Sequence, residues 1–375
     1  MTSEYPYLHK HTVVIFLMSF MMGFIIPEKK PLRAQVIHSG EILRASAEDA
    51  NLLLTEYLKP FGSGFGANLN SGWFTSAKPH RQFGFSFTFS VAATYVPEND
   101  RYFDIGNLEL DQLQHLDGPA KTPTAFGNNT EGPELGVVIT NPSSGREEQL
   151  YSFHMPQGTG YPYVPAPMAQ FSIGLIKNSE LTFRFTPTMN IDDQYEFNVR
   201  GLGLKLGLTE FMSGNQLLPI DISLQAGYMD LNARTDYNVQ PVMHEDIYNP
   251  YPASNWDNQG IRYNTSAYTV NLLAGKQFPI LSVFTGAGFQ HSNTKIKTIG
   301  SYPVVVPRSP DEIQPGEPTR TINSIEEPVN IQLEGQNKFH VMGGLRFRIA
   351  FAVISASYTY SDYPTLNIGA GISIR

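Results

Sequence analysis

From Arg81 to Pro97 the chain reads RQFGFSFTFSVAATYVP, and its apolar residues fall on every second position. Phe83, Phe85, Phe87, Phe89, Val91, Ala93 and Tyr95 alternate with Gly84, Ser86, Thr88, Ser90, Ala92 and Thr94. Period two over this length predicts a β-strand with one apolar face and one small, polar face. Similar alternation predicts strands near 82–96, 101–110, 134–141, 168–177, 181–189, 195–209, 217–232, 262–276, 280–299, 336–348, 351–360 and 364–375. It is clearest in Leu202/Leu204/Leu206/Leu208, in Ile220/Ile222/Leu224/Ala226/Tyr228 and in Leu366/Ile368/Ala370/Ile372/Ile374. Arg200-Gly201 shifts the phase between Val199 and Leu202, which predicts a bulge. Ahead of the strands, Ser46–Phe61 predicts a helix with one apolar stripe, Ala50, Leu53, Leu54, Tyr57 and Leu58. Ser46 with Asp49 resembles a capping box, and Pro60 ends the pattern. Gly62–His80, rich in Gly, Ser and Asn, predicts a structured loop.

The connections alternate in length. Those near 178–180, 210–216, 277–280 and 349–351 are short, whereas 142–167, 233–261 and 300–335 are long and fall in the other set; 111–133 is the exception. Short turns on one side and longer loops on the other are the signature of an outer-membrane barrel. Both chain ends then lie in the periplasm. Tyr95, Tyr228, Tyr268, Tyr358, Tyr360 and Tyr363 fall near strand ends, where an interfacial girdle would place them. A soluble barrel or sandwich with tyrosines at its rim is the alternative. No open sheet edge survives in lipid, so the strands must close. The expected fold is all-β: a closed antiparallel transmembrane β-barrel of about 12 strands (12–14) with an N-terminal helical and loop plug segment.

Composition bears on where such a chain resides. It has 375 residues and 16% charged residues, with 32 Gly, 24 Phe and 19 Tyr. Lys10 precedes the uncharged run Thr12–Ile26, which fits the apolar core of an export signal, with cleavage after Ala34. An uncleaved anchor is the alternative. The expected organisation is a signal peptide at 1–34, a helix and plug or hatch at 35–80 and the barrel at 81–375, in the outer membrane of a Gram-negative bacterium. With no cysteine there is no disulfide, thiolate metal site or lipidated N-terminal Cys. Residues 1–34 carry Lys10, Lys29, Lys30 and Arg33 against Glu4 and Glu28, net +2, so the remainder carries −8 − 2 = −10. An acidic chain without a basic cluster argues against nucleic-acid binding.

The polar faces supply the candidate chemistry. Placed inward, Arg184, Glu196, Lys205, Asp221, His340, Arg346 and Arg348 give a partly charged lumen, together with Thr182, Asn198, Ser223, Gln225, Asn271, Gln290 and Arg375. These groups either brace the wall by internal hydrogen bonds and ion pairs or line a ligand path, with Arg346 and Arg348 facing an anionic head group. Leu53, Leu54, Tyr57, Trp73 and Phe74 are the candidate plug residues, in the lumen or docked on the periplasmic side. Gly62–Gly66 (GSGFG) lacks the Lys-Ser/Thr of a phosphate loop. His244-Glu245-Asp246 is the densest acid–histidine cluster, and neither catalysis, a cofactor nor a metal is expected. Two functions follow. One is passive uptake of a small hydrophobic or amphipathic compound gated by the plug. The other is a structural or interaction barrel with a closed lumen, whose long loops contact a surface or secretion partner. Outer-membrane lipid is the expected surrounding in both.

Glu56–Phe87, EYLKPFGSGFGANLNSGWFTSAKPHRQFGFSF, and Tyr363–Arg375, YPTLNIGAGISIR, resemble an uncharacterised family of outer-membrane β-barrel proteins from Bacteroidota. The resemblance spans essentially the whole mature chain, although many outer-membrane barrels end on an aromatic residue rather than Arg. The layout is also similar to FadL-type transporters of long-chain fatty acids and other hydrophobic compounds, which have fourteen strands and an N-terminal hatch. That similarity implies uptake but carries over no binding residue.

Overall fold

The computed structural model describes residues 42, 46–140, 145–191, 195–209, 219–236, 238–309, 311, 313–335 and 338–374. The expected signal peptide and Arg375 lie outside the described residues. Ten strands form the wall: β1 (Phe85–Tyr95), β2 (Tyr163–Gly174), β3 (Ser179–Ile191), β4 (Tyr195–Gly207), β5 (Asp221–Asp236), β6 (Gly260–Gln277), β7 (Leu281–Ile299), β8 (Phe339–Ile349), β9 (Ala352–Tyr360) and β10 (Thr365–Ile374). Each pairs antiparallel with its chain neighbours, and β10 pairs with β1 from Phe85↔Ile374 to Thr94↔Thr365, which closes the ring. An outside strand, Asn330–Glu334, adds to the upper part of β7 at Asn293–Lys297, above the stretch that pairs with β8.

The strand count corrects the expected twelve. The segments at 101–110 and 134–141 are not wall strands. Tyr102–Asp104 pairs with Lys121–Pro123, and Glu134–Thr140 joins Gln114–Asp117 and Glu147–His154 in a small sheet. Both lie within the single connection between β1 and β2. The exceptional 111–133 connection thereby disappears. The three longest connections, 96–162, 237–259 and 300–338, all leave the same end of the barrel, here the loop end; the chain enters β1 and leaves β10 at the opposite, turn end.

Alternation decides which side each residue faces. On β1, Ser86, Thr88, Ala92 and Thr94 are buried toward the lumen, and the phenylalanines face outward. Outward positions elsewhere carry Phe183, Phe185, Leu202, Leu204, Leu206, Leu224, Val270, Leu272, Val341, Leu345, Phe347, Ile354, Leu366, Ile368 and Ile372, all exposed. They form a belt running round the wall, far beyond the few hundred Å² of apolar patch that a soluble protein exposes. From Ile374 to Leu366 the belt covers roughly 27 Å along β10 at ~3.4 Å per residue, which a tilted strand projects to about the height of a bilayer core. Tyr228, Tyr268, Tyr358 and Tyr360 are exposed and rim the belt toward the loop end. Tyr363 departs from the girdle. It is fully buried, and its OH donates to Asp100 Oδ2 at 2.7 Å. Burial first, and then this bond, push its phenol above the usual range.

The bulge also moves. β4 pairs with β5 without a break from Tyr195 to Gly207, and the register instead shifts on the β3 side, between Thr186 and Met189. Arg200 is in phase with Leu202 on the outward face, and it is polar because β4 outgrows the belt.

The helix α1 runs over Ala47–Asn70, past Pro60 and through GSGFG. Ser46 Oγ accepts from the Asp49 N–H at 3.2 Å, forming the expected cap. The glycines permit close packing rather than turns. A Cβ on Gly62 would stand 3.1 Å from Leu333, on Gly64 2.5 Å from Val164 and on Gly66 1.9 Å from Ser292. Tertiary contact with the wall outweighs the low helix propensity of the sequence.

Candidate functional site

The N-terminal segment fills the barrel. α1 stands at the loop end, where Leu53, Leu54, Tyr57 and Leu58 share a core with Leu113, Leu135, Phe153, Met155, Tyr302 and Val329 from the long connections. Helix and loops thus make one folded head. Of the expected plug residues, Leu53, Leu54 and Tyr57 lie in the head, whereas the last turn of α1, where Leu69 packs with Trp73 and its carbonyl accepts from Arg184, and residues 71–80 lie in the lumen.

Asp49 ties the head to the helix. Its carboxylate accepts from the N–H groups of Asp111 at 2.6 Å and of Gln112 and Leu113 at 2.9 Å, and it is fully buried. Removing an acceptor that satisfies three main-chain donors costs several kcal/mol of local stability, at about 1–3 kcal/mol per orphaned group. Asp49→Ala is therefore expected to speed amide exchange across 111–113 in hydrogen-exchange mass spectrometry while leaving β1 and β10 protected. Unchanged exchange at 111–113 would remove Asp49 as the anchor.

Below the head, Trp73 is the centre of the plug. Its ring lies on a platform of three inward glycines. A Cβ on Gly227 would meet it at 2.5 Å, on Gly203 at 2.8 Å and on Gly201 at 3.2 Å. On its other side the Arg184 guanidinium stacks 4.1 Å from the ring centroid. Arg184 Nε donates to Gln170 Oε1 at 2.8 Å and Nη1 to the Leu69 carbonyl at 3.2 Å. Among the described residues no carboxylate pairs with it. A π-face, an amide and a carbonyl stand in for the anion, which suits a guanidinium better than an ammonium. Phe74 packs edge-on against Phe284 at 5.5 Å.

Nearer the turn end, charge holds the segment. Glu180, 3% exposed, accepts from the His80 N–H at 2.8 Å through Oε2 and from Lys205 Nζ at 2.8 Å through Oε1; Oε2 also lies 2.6 Å from His80 Nδ1. Lys205 Nζ donates in addition to the Ser76 carbonyl at 3.2 Å. At the rim Lys78 stands 3.5 Å from Asp221. Across the lumen, His340 Nε2 lies 2.7 Å from Asn271 Oδ1, and Asn271 Nδ2 donates to Gln225 Oε1 at 2.5 Å. Gly288 sits between them on β7 and lets the bond pass.

The structure thus brings Arg184, Lys205, Trp73 and Phe74 into the lumen core, with His340 and Arg346 also buried on inward faces. Asp221 and Arg348 are half-buried at the turn-end rim. Glu196 is a correction. It is exposed on the outward side of β4 because it shares parity with Leu202, not with Val199. Sequence reasoning missed Glu180 and His80. Glu180 was assigned to the turn, yet its parity with Thr182 and Arg184 marks it as inward once the strand begins at Ser179. His244-Glu245-Asp246 forms no common site; Asp246 accepts from the Thr319 N–H at 2.6 Å and braces two loops.

The model of a family of unknown function, DUF6588, matches residues 9–374. No curated protein matches the chain. Solved structures similar to it include Ail, the attachment invasion locus protein of Yersinia pestis, at 9% identity and TM-score 0.23, covering 78% of this chain and 99% of that one. The translocator domain of autotransporter NalP from Neisseria meningitidis is similar at 8% identity and TM-score 0.22, over 79% and 90% of the two chains. The transport unit of the autotransporter AIDA-I from Escherichia coli is similar at 9% identity and TM-score 0.25, over 84% and 99%. Likeness at this level carries nothing about activity.

Proposed function

We propose that this chain, which belongs to that family of unknown function, is an outer-membrane barrel closed by its own N-terminal segment and acting through its head. The apolar belt with its tyrosine rim supports the membrane reading, with the turn end in the periplasm and the head outside the cell. The observation that carries the closed lumen is Trp73, held between Arg184 and the platform of Gly201, Gly203 and Gly227 at the middle of the barrel. A wall built around an aromatic ring and a buried Glu–Lys pair serves stability and display more directly than flow. The head, with its own apolar core, is then the working surface, and its partner is another surface or secreted component.

The wild-type protein, refolded into liposomes, is expected to leave small-sugar swelling at the protein-free rate and to give no steady conductance in planar bilayers. Swelling at porin-like rates would overturn the closed-lumen reading.

A specific observation favours a second reading, gated passage of an amphipathic compound. A cleft of about 580 Å³ opens at the turn end, lined by Lys78, Arg81, Gln277, Arg348, Phe351 and Ile374. Its mixture of cations and apolar surface suits an anionic amphiphile, and transport would then require residues 71–80 to move.

A further inference from the structure

We infer that residues 71–80 cross the membrane through the chain's own lumen, so that the head end of helix α1 is displayed at the cell surface. The inference rests on the outer-membrane reading above and extends it: the barrel carries its own N-terminal segment from the periplasmic face to the outside.

The partners of successive residues carry the argument, because their order never reverses. Asp49 binds the main chain at 111–113, and Asn51 Nδ2 donates to the Pro328 carbonyl at 3.1 Å, both within long loop-end connections. Asn68 Nδ2 donates to the carbonyl of Val164, the second residue of β2, and Asn68 Oδ1 accepts from Thr94, next to the end of β1. These contacts lie at the loop-end mouth. Trp73 follows at the level of Gly201, Gly203 and Gly227. Lys78 then meets Asp221, the first residue of β5, and His80 meets Glu180, the second residue of β3, both at the turn end. The Phe83 N–H donates to the carbonyl of Gly174, the last residue of β2, before β1 begins. The chain therefore enters at the loop end and leaves at the turn end.

Length permits the crossing. Ten residues reach at most roughly 33 Å and the apolar belt of such barrels is about 25 Å tall, which leaves slack for the bends that run through 71–80. Chemistry permits it as well. A segment that crosses a lumen outside any helix or sheet has no ladder for its main-chain groups, and unpaired ones are costly. Here buried wall side chains replace the ladder: Gln170 donates to the Trp73 carbonyl, Lys205 donates to the Ser76 carbonyl, and Glu180 accepts from the His80 N–H, while Arg184 caps the Leu69 carbonyl in the last turn of α1. Two charged wall residues and one amide are thus spent on the main chain of the segment, the provision expected for a permanent passenger. Because Leu53, Leu54 and Tyr57 also complete the head core, the head assembles only once this segment is in place.

The chain contains no cysteine, so single-cysteine variants of the full protein report position directly. Glu48→Cys probes the start of α1, Asp117→Cys the loops and Lys276→Cys the turn end; all three sites are exposed. Cells would be treated with a membrane-impermeant maleimide before and after outer-membrane permeabilisation, and the heat-dependent gel shift would certify that each variant has folded. Lys59→Cys serves as a second helix probe if Glu48→Cys does not assemble. Expected is labelling of Glu48→Cys and Asp117→Cys on intact cells, with Lys276→Cys labelled only after permeabilisation. If Asp117→Cys is labelled on intact cells but the helix probes need permeabilisation, the segment does not cross and the inference is wrong. If Asp117→Cys is itself protected on intact cells, the outer-membrane orientation fails, and the surface display of α1 fails with it.

Discussion

Glu180→Gln is expected to loosen the lumen segment and lower the temperature at which the folded barrel loses its compact gel mobility. Glu180 is the single carboxylate shared by Lys205 and by the main chain and ring of His80. A glutamine keeps the shape but replaces one acceptor oxygen with a donor, aimed at groups that already donate. Lys205, 4% exposed, is then left with the Ser76 carbonyl and no counter-charge. Stranding one member of a buried pair costs about 3–5 kcal/mol, far more than the net worth of the pair itself. Removing the stranded charge as well, in Glu180→Gln with Lys205→Met, keeps an acceptor for the His80 N–H and is therefore expected to cost less than the single change. Barrels in detergent unfold slowly, so the comparison belongs on the rate of conversion at fixed temperature, with amide exchange across 74–80 as the local readout. An unchanged rate and unchanged exchange in Glu180→Gln would show that the segment is held by packing alone.

The sequence yields the wall more readily than the plug, and the reason is physical. Strands between lipid and lumen must alternate, so the odd phenylalanines of β1 and the even leucines of β4 declare their side without any partner in view. Loop-end strands such as Glu134–Thr140 face no lipid; their alternation reflects a small local sheet, and it imitates a wall strand in the sequence. Glu196 misleads in the opposite way, because above the belt an outward residue can be charged and polarity no longer marks the lumen. For the N-terminal segment the local signals conflict with the tertiary ones. Pro60 and the glycines from Gly62 to Gly66 announce a helix end, yet the helix continues to Asn70 because those glycines let it lie against Leu333, Val164 and Ser292. Gly201, Gly203 and Gly227 are equally silent: a glycine in a strand marks a close approach, but only the fold reveals that the approaching group is Trp73.

That approach gives the second large effect. Trp73→Ala is expected to cost about 3–5 kcal/mol, the range for emptying a large aromatic site, and to open a solute path through the lumen. The ring fills the space between β3, β4 and β5, and it is also the surface on which Arg184 stacks. Without it the guanidinium keeps Gln170 and the Leu69 carbonyl but loses a desolvated cation–π contact worth about 2 kcal/mol. The same site can be probed from the wall. Gly227→Ala places a methyl 2.5 Å from Trp73 Cε2, and the rigid ring can yield only by moving away from the platform. Overpacking of this kind costs about 1–3 kcal/mol. In the Trp73→Ala background the methyl meets empty space, and its cost should vanish or change sign. The double-mutant cycle then carries a coupling of about 1–3 kcal/mol, whereas sites that do not touch add to within about 0.5 kcal/mol. Liposome swelling supplies the functional half: Trp73→Ala should admit small sugars, and Gly227→Ala should do so only to the extent that it displaces the ring. Additive stabilities, or a Trp73→Ala barrel as tight to sugars as the wild type, would mean that Trp73 is a passenger in the lumen and something else closes it.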